Sequence, residues 1–197
     1  MCIRDSIKIA EKCEKERVRL VLDECFVQFL TSGEEASMQL ETGRFRYLFV
    51  LQAFTKIYAV PGIRLGYGIS SDKALLERME TVRQPWSVST PAQAAGLSAL
   101  KEDHREEQTR QLVKSERERM EKELENLRIE YIPSEANFLL FNSEINWFEE
   151  LKKRGILIRD CANYRGLGNG WYRLAVRMPE ENDRLLECMK QVLNERS

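Results

Sequence analysis

The chain has 197 residues, of which 43% are hydrophobic and 32% charged, and its formal net charge is −1. This composition is typical of one or two globular domains, and the balanced charge gives no reason to expect nucleic acid or an anionic membrane as a partner. No apolar run approaches the roughly 20 residues of a membrane span, and the first residues lack the apolar core of a signal peptide. We therefore expect a soluble, cytoplasmic protein with no nucleic-acid or membrane partner.

The residue types available for chemistry are restricted. The five cysteines are scattered and contain no CxxC pair, which argues against a disulfide framework and against a zinc site. The single histidine, His104, stands in a charged run, which disfavours histidine-based metal binding and a Ser-His-Asp triad. We expect no metal, and any chemistry must depend on lysine, arginine, aspartate or a cofactor.

The first half of the chain alternates between helical and strand patterns. Residues 1–6 fit nothing that follows, and we expect them to be a non-native scar. A helix at 7–17 runs into a short buried strand at 18–26 without a hairpin signal, which indicates an α/β layer. The further predicted elements are a polar connector at 32–43, strands at 45–54 and 64–70, a helix at 70–84 that begins with a Ser or Asp cap, and a small-residue helix at 92–100 capped by Thr90 and Pro91.

The second half begins with a charged stretch at 101–128, which we expect to continue the preceding helix. Its apolar stripe is typical of a solvated amphipathic helix and too short for a coiled coil; the stripe consists of Val113, Met120, Leu124 and Leu127. The following predicted elements are strands at 128–133, 136–141, 156–161 and 171–177, and helices at 145–155 and 179–193. The inward residues of the last helix are predicted to be Leu185, Leu186, Met189 and Leu193. We place a domain boundary in the long helix, between residues 100 and 101.

The most informative segment is LQAFTKIYAVPGIRLGYGIS at residues 51–70, in which Lys56 stands in an apolar, aromatic run. An apolar environment favours a neutral amine, the form that condenses with an aldehyde, although the ammonium group of a lysine can also reach out to solvent. Arg64 lies between glycines, where a guanidinium group suits a phosphate, and Thr55 adds a hydroxyl. Asp23 ends a predicted buried strand, where its carboxylate needs a cation. An amine, phosphate binders and a carboxylate together describe a pyridoxal-phosphate site.

Five segments, in this order, resemble consecutive blocks of the fold-type I pyridoxal-phosphate enzymes of the class I/II aminotransferase family. They are VLDECFVQF, FTKIYAVPGIRLGYG, RQPWSVSTPAQAA, ANFLLF and ILIRDCANYRGLGNGWYRLAVR. They cover nearly all of residues 19–195 and are most similar to the branch that contains threonine-phosphate decarboxylase and histidinol-phosphate aminotransferase. The resemblance implies an α/β fold, pyridoxal 5′-phosphate as cofactor and a homodimer.

The resemblance also implies roles for four residues toward the cofactor. Lys56 would form the covalent link to the cofactor and move the proton at the substrate's Cα. Asp23 would pair with the pyridine nitrogen and keep it protonated, and Thr55 and Arg64 would bind the cofactor phosphate.

Two further arginines are implied to bind the substrate. Arg173 would bind the substrate carboxylate, and Arg159 would hold its other charged end, a phosphate. The alternative for each arginine is an exposed ion pair of little energetic value. The chain departs from the family pattern at Phe26, where part of the family has a tyrosine that contacts the cofactor, and at Ala53, where a hydroxyl residue is frequent.

The resemblance implies that the chain is the C-terminal portion of an enzyme. Residues 7–100 would be part of a large pyridoxal-phosphate domain with a mostly parallel sheet, and residues 101–197 would be a small α+β domain. We expect this chain alone to be inactive, because the family's N-terminal half supplies cofactor contacts. For the whole enzyme, the resemblance favours a threonine-phosphate decarboxylase of cobalamin biosynthesis. The alternatives are a histidinol-phosphate-type aminotransferase of histidine biosynthesis and a non-catalytic α/β module.

Overall fold

The computed structural model describes residues 3–102 and 104–196, apart from the side chains at positions 33 and 34. The chain divides into two compact units between Arg110 and Gln111, inside a long helix; we call them unit 1 and unit 2. The sequence placed the boundary between residues 100 and 101. None of the described helices is long and apolar enough to cross a membrane.

Unit 1 is built from short elements around a sheet of β1, β2 and β3. Its elements are α1 (Ile3–Glu16), β1 (Leu20–Asp23), β2 (Leu48–Ala53), α2 (Phe54–Ile57), β3 (Gly66–Ile69), α3 (Lys73–Val82), α4 (Thr90–Ala99) and the start of α5 (Arg105–Asn126). Short 3₁₀ turns lie at Val27–Phe29, Gly33–Ala36, Gln39–Gly43 and Pro61–Ile63. Of the segment predicted to be a scar, residues 3–6 form the first turn of α1, and residues 1 and 2 lie outside the described part. Its origin stays a prediction.

The sheet of unit 1 is mixed, with β2 in its centre. β1 runs parallel to β2, with Asp23 opposite Leu51, and β3 runs antiparallel to β2, with Tyr67 opposite Gln52. Because side chains alternate along a strand, one face of the sheet is apolar and packs against α1 and the segment before β2. That core contains Ala10, Met38, Phe45, Leu48 and Val50, with Ile3, Ile7, Leu20 and Leu22 packed against it.

The opposite face of the sheet is only partly covered, which corrects one sequence prediction. We expected residues 18–26 to form a buried strand, but β1 is half exposed and Val21 has 54% of its surface accessible. Leu51 on β2 is 37% exposed. The run of Val and Leu in β1 has one covered face and one open face, and composition alone does not distinguish this from burial on both faces.

The helices that follow the sheet begin at short polar caps. The Asp72 carboxylate accepts a hydrogen bond from the Leu75 N–H at the start of α3, as expected, and the Ser89 hydroxyl caps α4 one residue earlier than predicted. The prediction that α4 continues into α5 is wrong. α4 ends at Ala99, and His104 has φ +67° in the left-handed region, which a continuous right-handed helix does not allow.

Unit 2 contains the rest of α5, a sheet of four antiparallel strands and two further helices. The elements are β4 (Glu130–Ile132), β5 (Phe138–Asn142), α6 (Trp147–Lys152), β6 (Arg159–Asp160), β7 (Trp171–Ala175) and α7 (Pro179–Asn194). The strand order is β4-β5-β7-β6, and each pair is antiparallel. The strand predicted at 156–161 is therefore much shorter than expected.

The core of unit 2 lies on one face of this sheet. Its largest fully buried side chains are Met120, Leu124, Leu139, Phe141, Trp147, Leu151, Leu174 and Met189. The Phe141 ring lies 6.5 Å from the Trp147 ring and 5.4 Å from the Tyr172 ring, measured between centroids. On α7, Val192 is buried rather than the predicted Leu193, while the other three inward residues are as predicted.

Candidate functional site

Lys56 lies directly beyond the carboxyl end of β2. Ala53 is still extended, with φ −141° and ψ 132°, and the chain then turns into the single-turn helix α2. The Phe54 N–H donates to the Leu65 carbonyl at 3.2 Å, which ties this turn to the segment before β3. The side chain of Lys56 is half-buried, and its Nζ lies 5.4 Å from the centre of the Phe26 ring. This is the distance of a cation–π contact.

Asp23 lies at the carboxyl end of β1, the neighbouring parallel strand. Because parallel strands end at the same edge of a sheet, Asp23 and Lys56 are brought together there. The Cys25 N–H donates to Asp23 Oδ1 at 3.0 Å. Hydrogen bonds from the Cys25 thiol and backbone, and to a smaller extent the charge of Lys56, lower the pKa of Asp23 below its ordinary value of 3.8, against a partial desolvation that raises it. Asp23 is therefore ionised at neutral pH.

The environment of Asp23 differs from the sequence prediction. We expected its carboxylate to be buried and to require a cation, but it is exposed, because it shares the open face of the sheet with Val21. Its main partner is Cys25, which the sequence reasoning missed. Desolvation and the hydrogen bond to Asp23 raise the pKa of the Cys25 thiol to about 11, so that this thiol is a protonated donor at neutral pH.

Arg64 and Thr55 lie on the two sides of Lys56 in the sequence. Thr55 is buried, and Arg64 is exposed at the end of the 3₁₀ turn Pro61–Ile63. Arg64 has φ +56° and ψ 51°, an uncommon conformation for a residue with a Cβ. Its guanidinium group makes one long hydrogen bond, 3.4 Å to the Pro61 carbonyl. A strained arginine with spare donors is an observation from which a binding role can be inferred.

Arg159 and Arg173 lie side by side in unit 2. The register of β6 and β7 pairs them directly, so both side chains leave the same face of the sheet. The Arg173 guanidinium lies 5.0 Å from the centre of the Phe138 ring, and that of Arg159 lies 5.7 Å from the Tyr164 ring. Like charges directly opposite each other on a sheet are unfavourable unless an anion lies between them.

The alternative to a binding role was that each of these arginines forms an exposed ion pair. Within residues 3–102 and 104–196, no carboxylate lies at ion-pair distance from Arg64, Arg159 or Arg173. Arg159 donates one hydrogen bond, of 3.2 Å, to Asn163 Oδ1 in the loop that joins β6 and β7. The two guanidinium groups of unit 2 therefore keep donors that a ligand with negative charges can use.

The loop between β6 and β7 contains three glycines with positive φ, at 166, 168 and 170. Only at Gly170 does the surrounding structure also exclude a side chain, because a Cβ there would lie 2.8 Å from the Ser143 carbonyl oxygen. The sequence reasoning found the arginines and noted Phe26 only as a departure from the family pattern, and it missed Phe138 and Tyr164. Their signal was their aromatic type within the quoted blocks, and only the folded structure shows which cation each ring contacts.

Comparison with known proteins extends these observations over almost the whole chain. The pattern of the family described as aminotransferase class I and II matches residues 4–188. The threonine-phosphate decarboxylase of Salmonella typhimurium is 36% identical over 189 residues, which are 94% of this chain and 51% of that protein. Histidinol-phosphate aminotransferase 1 of Archaeoglobus fulgidus is 35% identical over 190 residues, which are 96% of this chain and 56% of that protein.

Solved structures show the same similarity in the fold. The histidinol-phosphate aminotransferase of Clostridium acetobutylicum matches with a TM-score of 0.89 and 30% identity, covering 96% of this chain and 58% of that one. The L-threonine-O-3-phosphate decarboxylase of Porphyromonas gingivalis matches with a TM-score of 0.85 and 23% identity, covering 98% of this chain and 60% of that one. The chain spans about half the length of the curated relatives it matches.

Proposed function

The chain belongs to the aminotransferase class I and II family, and from this we propose that it is part of an enzyme that uses pyridoxal 5′-phosphate to act on a phosphorylated amino acid or amine. Family membership indicates this cofactor. The preferred substrate in our proposal is threonine phosphate, and the reaction is its decarboxylation. A homodimer and a place in cobalamin biosynthesis are part of the same proposal, and they rest on the resemblance alone.

The described residues of unit 1 fit the cofactor in chemical type. An aldehyde requires an amine, and Lys56 provides one at the edge of the sheet. A phosphate requires cationic and hydroxyl donors, and Arg64 and Thr55 provide them on either side of that lysine. A pyridine nitrogen requires an ionised carboxylate, and hydrogen bonds from Cys25 hold Asp23 in that form. This set of donors and acceptors supports the assignment.

Each of these residues has a distinct task in the proposed reaction. When bound, the cofactor withdraws electrons from the bonds at the substrate's Cα. Asp23 holds a proton on the ring nitrogen, which its low pKa favours because the carboxylate stays ionised. In the proposed decarboxylation, Lys56 would give Cα the proton that replaces the departing carbon dioxide, and Arg64 with Thr55 would keep the cofactor phosphate in place.

One observation supports a substrate with two anionic groups, namely the direct pairing of Arg159 and Arg173 across β6 and β7. Two guanidinium groups on one face can each make paired, charge-assisted hydrogen bonds. Threonine phosphate has a carboxylate and a phosphate, whereas histidinol phosphate has only the phosphate. The arginine pair fits threonine phosphate with both guanidinium groups in use and histidinol phosphate with one. It also fits the two carboxylates of 2-oxoglutarate, the acceptor in the alternative reaction, so a comparison of substrates is needed to separate the two kinds of relative, which are almost equally similar in sequence.

The test compares the two substrates with the gene product that contains this chain, supplied with pyridoxal phosphate. We expect a higher kcat/KM for threonine phosphate, with release of carbon dioxide and without consumption of 2-oxoglutarate. Equal or better conversion of histidinol phosphate with consumption of 2-oxoglutarate would show that the enzyme is an aminotransferase. No conversion of either substrate, together with no borohydride-reducible bond to the cofactor, would show a non-catalytic α/β module.

A further inference from the structure

Glu24 directly follows Asp23 and is held from two sides. Its backbone N–H donates to the Leu51 carbonyl at 2.9 Å, which continues the pairing of β1 with β2 beyond Asp23. Its carboxylate accepts hydrogen bonds from the Ser37 hydroxyl at 2.5 Å and from the Met38 N–H at 2.8 Å. Because side chains alternate along a strand, Glu24 points to the covered face of the sheet, while Asp23 points to the open face.

Gln52 connects this carboxylate to the rest of the sheet. Gln52 is 5% exposed, and its Nε2 lies within hydrogen-bond distance of three acceptors: Glu24 Oε2 at 3.3 Å, Ser37 Oγ at 3.1 Å and Gln39 Oε1 at 3.2 Å. The side-chain oxygen of Gln52, Oε1, therefore faces β3 and accepts a hydrogen bond of 2.7 Å from the Tyr67 hydroxyl. We call Glu24, Ser37, Gln39, Gln52 and Tyr67 the Glu24 network.

The Glu24 network connects the carboxyl ends of β1 and β2, the two strands that lead to Asp23 and Lys56. Glu24 lies between Asp23 and Cys25, which form the tight turn in which the Cys25 N–H reaches the Asp23 carboxylate. Gln52 lies one residue before the end of β2, and β2 leads into the helix of Lys56. A hydrogen bond between the side chains of Glu24 and Gln52 therefore fixes the end of one strand against the end of the other.

We propose that Glu24 is a positioning residue for Asp23: the Glu24 network holds the turn in which Cys25 donates to the Asp23 carboxylate. The effect of this positioning on catalysis rests on the proposed function, in which Asp23 holds the proton on the ring nitrogen. Besides Glu24 itself, the groups near Asp23 that carry or can carry charge are Cys25 and Lys56. Glu24 itself touches neither substrate nor cofactor in this proposal.

The experiment measures the titration of Asp23 directly, without cofactor. Aspartate labelled with ¹³C in the carboxyl group is introduced into the gene product, and the Asp23 signal is assigned with Asp23→Asn. Ser37→Ala removes one partner of Glu24 without changing any charge, and Glu24→Gln removes the carboxylate itself. Glu80→Gln is the matched control, because Glu80 is exposed and forms a surface pair with Arg83.

We expect the pKa of Asp23 to rise toward its ordinary value of 3.8 in Ser37→Ala, because Asp23 loses part of the hydrogen bond that Cys25 donates to it. The pKa of Asp23 should also rise in Glu24→Gln, but less than in Ser37→Ala. The reason is that Glu24→Gln also removes a neighbouring negative charge, which by itself lowers the pKa of Asp23. Glu80→Gln should leave it unchanged. A role of Glu24 in stability alone would lower the melting temperature without moving this titration.

Two results would overturn the positioning role. One is an unchanged Asp23 titration in both network variants. The other is a lower pKa in Glu24→Gln with no change in Ser37→Ala, which is the purely electrostatic result. The proposed function is tested separately on the same samples: if wild-type protein forms no borohydride-reducible bond with pyridoxal phosphate, the proposed function fails, while the cofactor-free titration still decides the role of Glu24.

Discussion

The sheets of the two units differ in how completely each buries its apolar residues. In unit 1, Val21 and Leu51 are exposed on one face of the sheet, and no residue of α3 is buried. In unit 2, the core face of the sheet is closed, and Phe141, Leu174 and the helical residues around them are inaccessible to solvent. The stability of unit 2 is therefore concentrated in its own core, whereas unit 1 has less apolar contact of its own.

Both units nevertheless place their candidate functional groups in the same way. In unit 1, Asp23 lies on the face of the sheet opposite the core, and in unit 2 Arg159 and Arg173 do so as well. Residues on such a face are not required for packing, so their charges remain available for a ligand. This comparison predicts that function and stability can be separated by substitution, with the clearest separation in unit 2.

The largest expected effect is that of Lys56→Ala in unit 1. In the gene product that contains this chain, the variant should lose the borohydride-reducible bond to pyridoxal phosphate, and kcat/KM should fall by about 10⁴-fold, because the covalent link and the proton carrier are one residue. The measurement combines borohydride reduction with peptide mass spectrometry and an assay of product. Lys73→Ala, at the exposed start of α3, is the matched control. A reducible bond that persists in Lys56→Ala would assign the link to another lysine.

The next effect concerns the arginine pair of unit 2. Arg173→Ala and Arg159→Ala should each reduce kcat/KM for threonine phosphate by a factor equivalent to about 2–5 kcal/mol, as for other charge pairs that a ligand desolvates. Melting temperatures should change little, since neither side chain belongs to the core. Arg177→Ala serves as control, because Arg177 makes an exposed ion pair with Glu181. A similar loss of kcat/KM in all three variants would contradict a specific role for the pair.

The third prediction tests the difference in burial between the two sheets with one substitution in each. Leu174→Ala, in the closed core of unit 2, should lower the free energy of unfolding by about 2–5 kcal/mol, because it removes buried methyl groups and leaves a cavity. Val21→Ser, on the open face of unit 1, should change it by no more than about 0.5 kcal/mol. Urea unfolding monitored by circular dichroism provides both values. A large loss in Val21→Ser would mean that this face is covered in the protein in solution.

The smallest effect is a dependence on pH in unit 2. Glu116 is buried, and its pKa lies below its ordinary value of 4.5, chiefly because Arg119 donates to it and also because Asn182 does, against a desolvation that raises it. Such a carboxylate stabilises the folded state above the ordinary pKa, and this stabilisation is lost as the pH falls through the lower value in the folded state.

The measurement is urea unfolding from pH 6 downward, through and below pH 4.5, with Glu116→Gln beside the wild type. The variant should be less stable by about 1–2 kcal/mol at pH 6 and should approach the wild type in acid. Glu149→Gln, which removes an exposed pair with Lys152, should not alter the acid dependence. If the free energy of unfolding depended on pH in the same way in the wild type and in Glu116→Gln, the Glu116 carboxylate would not be the source of the acid dependence.

Local periodicity was enough to place most of the elements. The helices α1, α3, α6 and α7 and the central strands lie where apolar spacing and caps predicted them, because these signals act within one or two turns. Two predictions for which the local pattern was not enough were wrong. The expected burial of β1 required knowing that one face stays open, and the expected continuation of α4 into α5 required knowing the backbone conformation at His104.

By itself, the sequence determined which residue types are available and the order in which they occur. The amine of Lys56 and the carboxylate of Asp23 were identifiable because each is a charged group within or at the end of an apolar segment, whereas Arg159 and Arg173 were identified through the resemblance to the family. Only the tertiary structure decided their partners. The parallel register brings the ends of β1 and β2 together, and the antiparallel register of β6 and β7 sets the two arginines opposite each other. Strand register depends on contacts between residues distant in the chain, which no local pattern specifies.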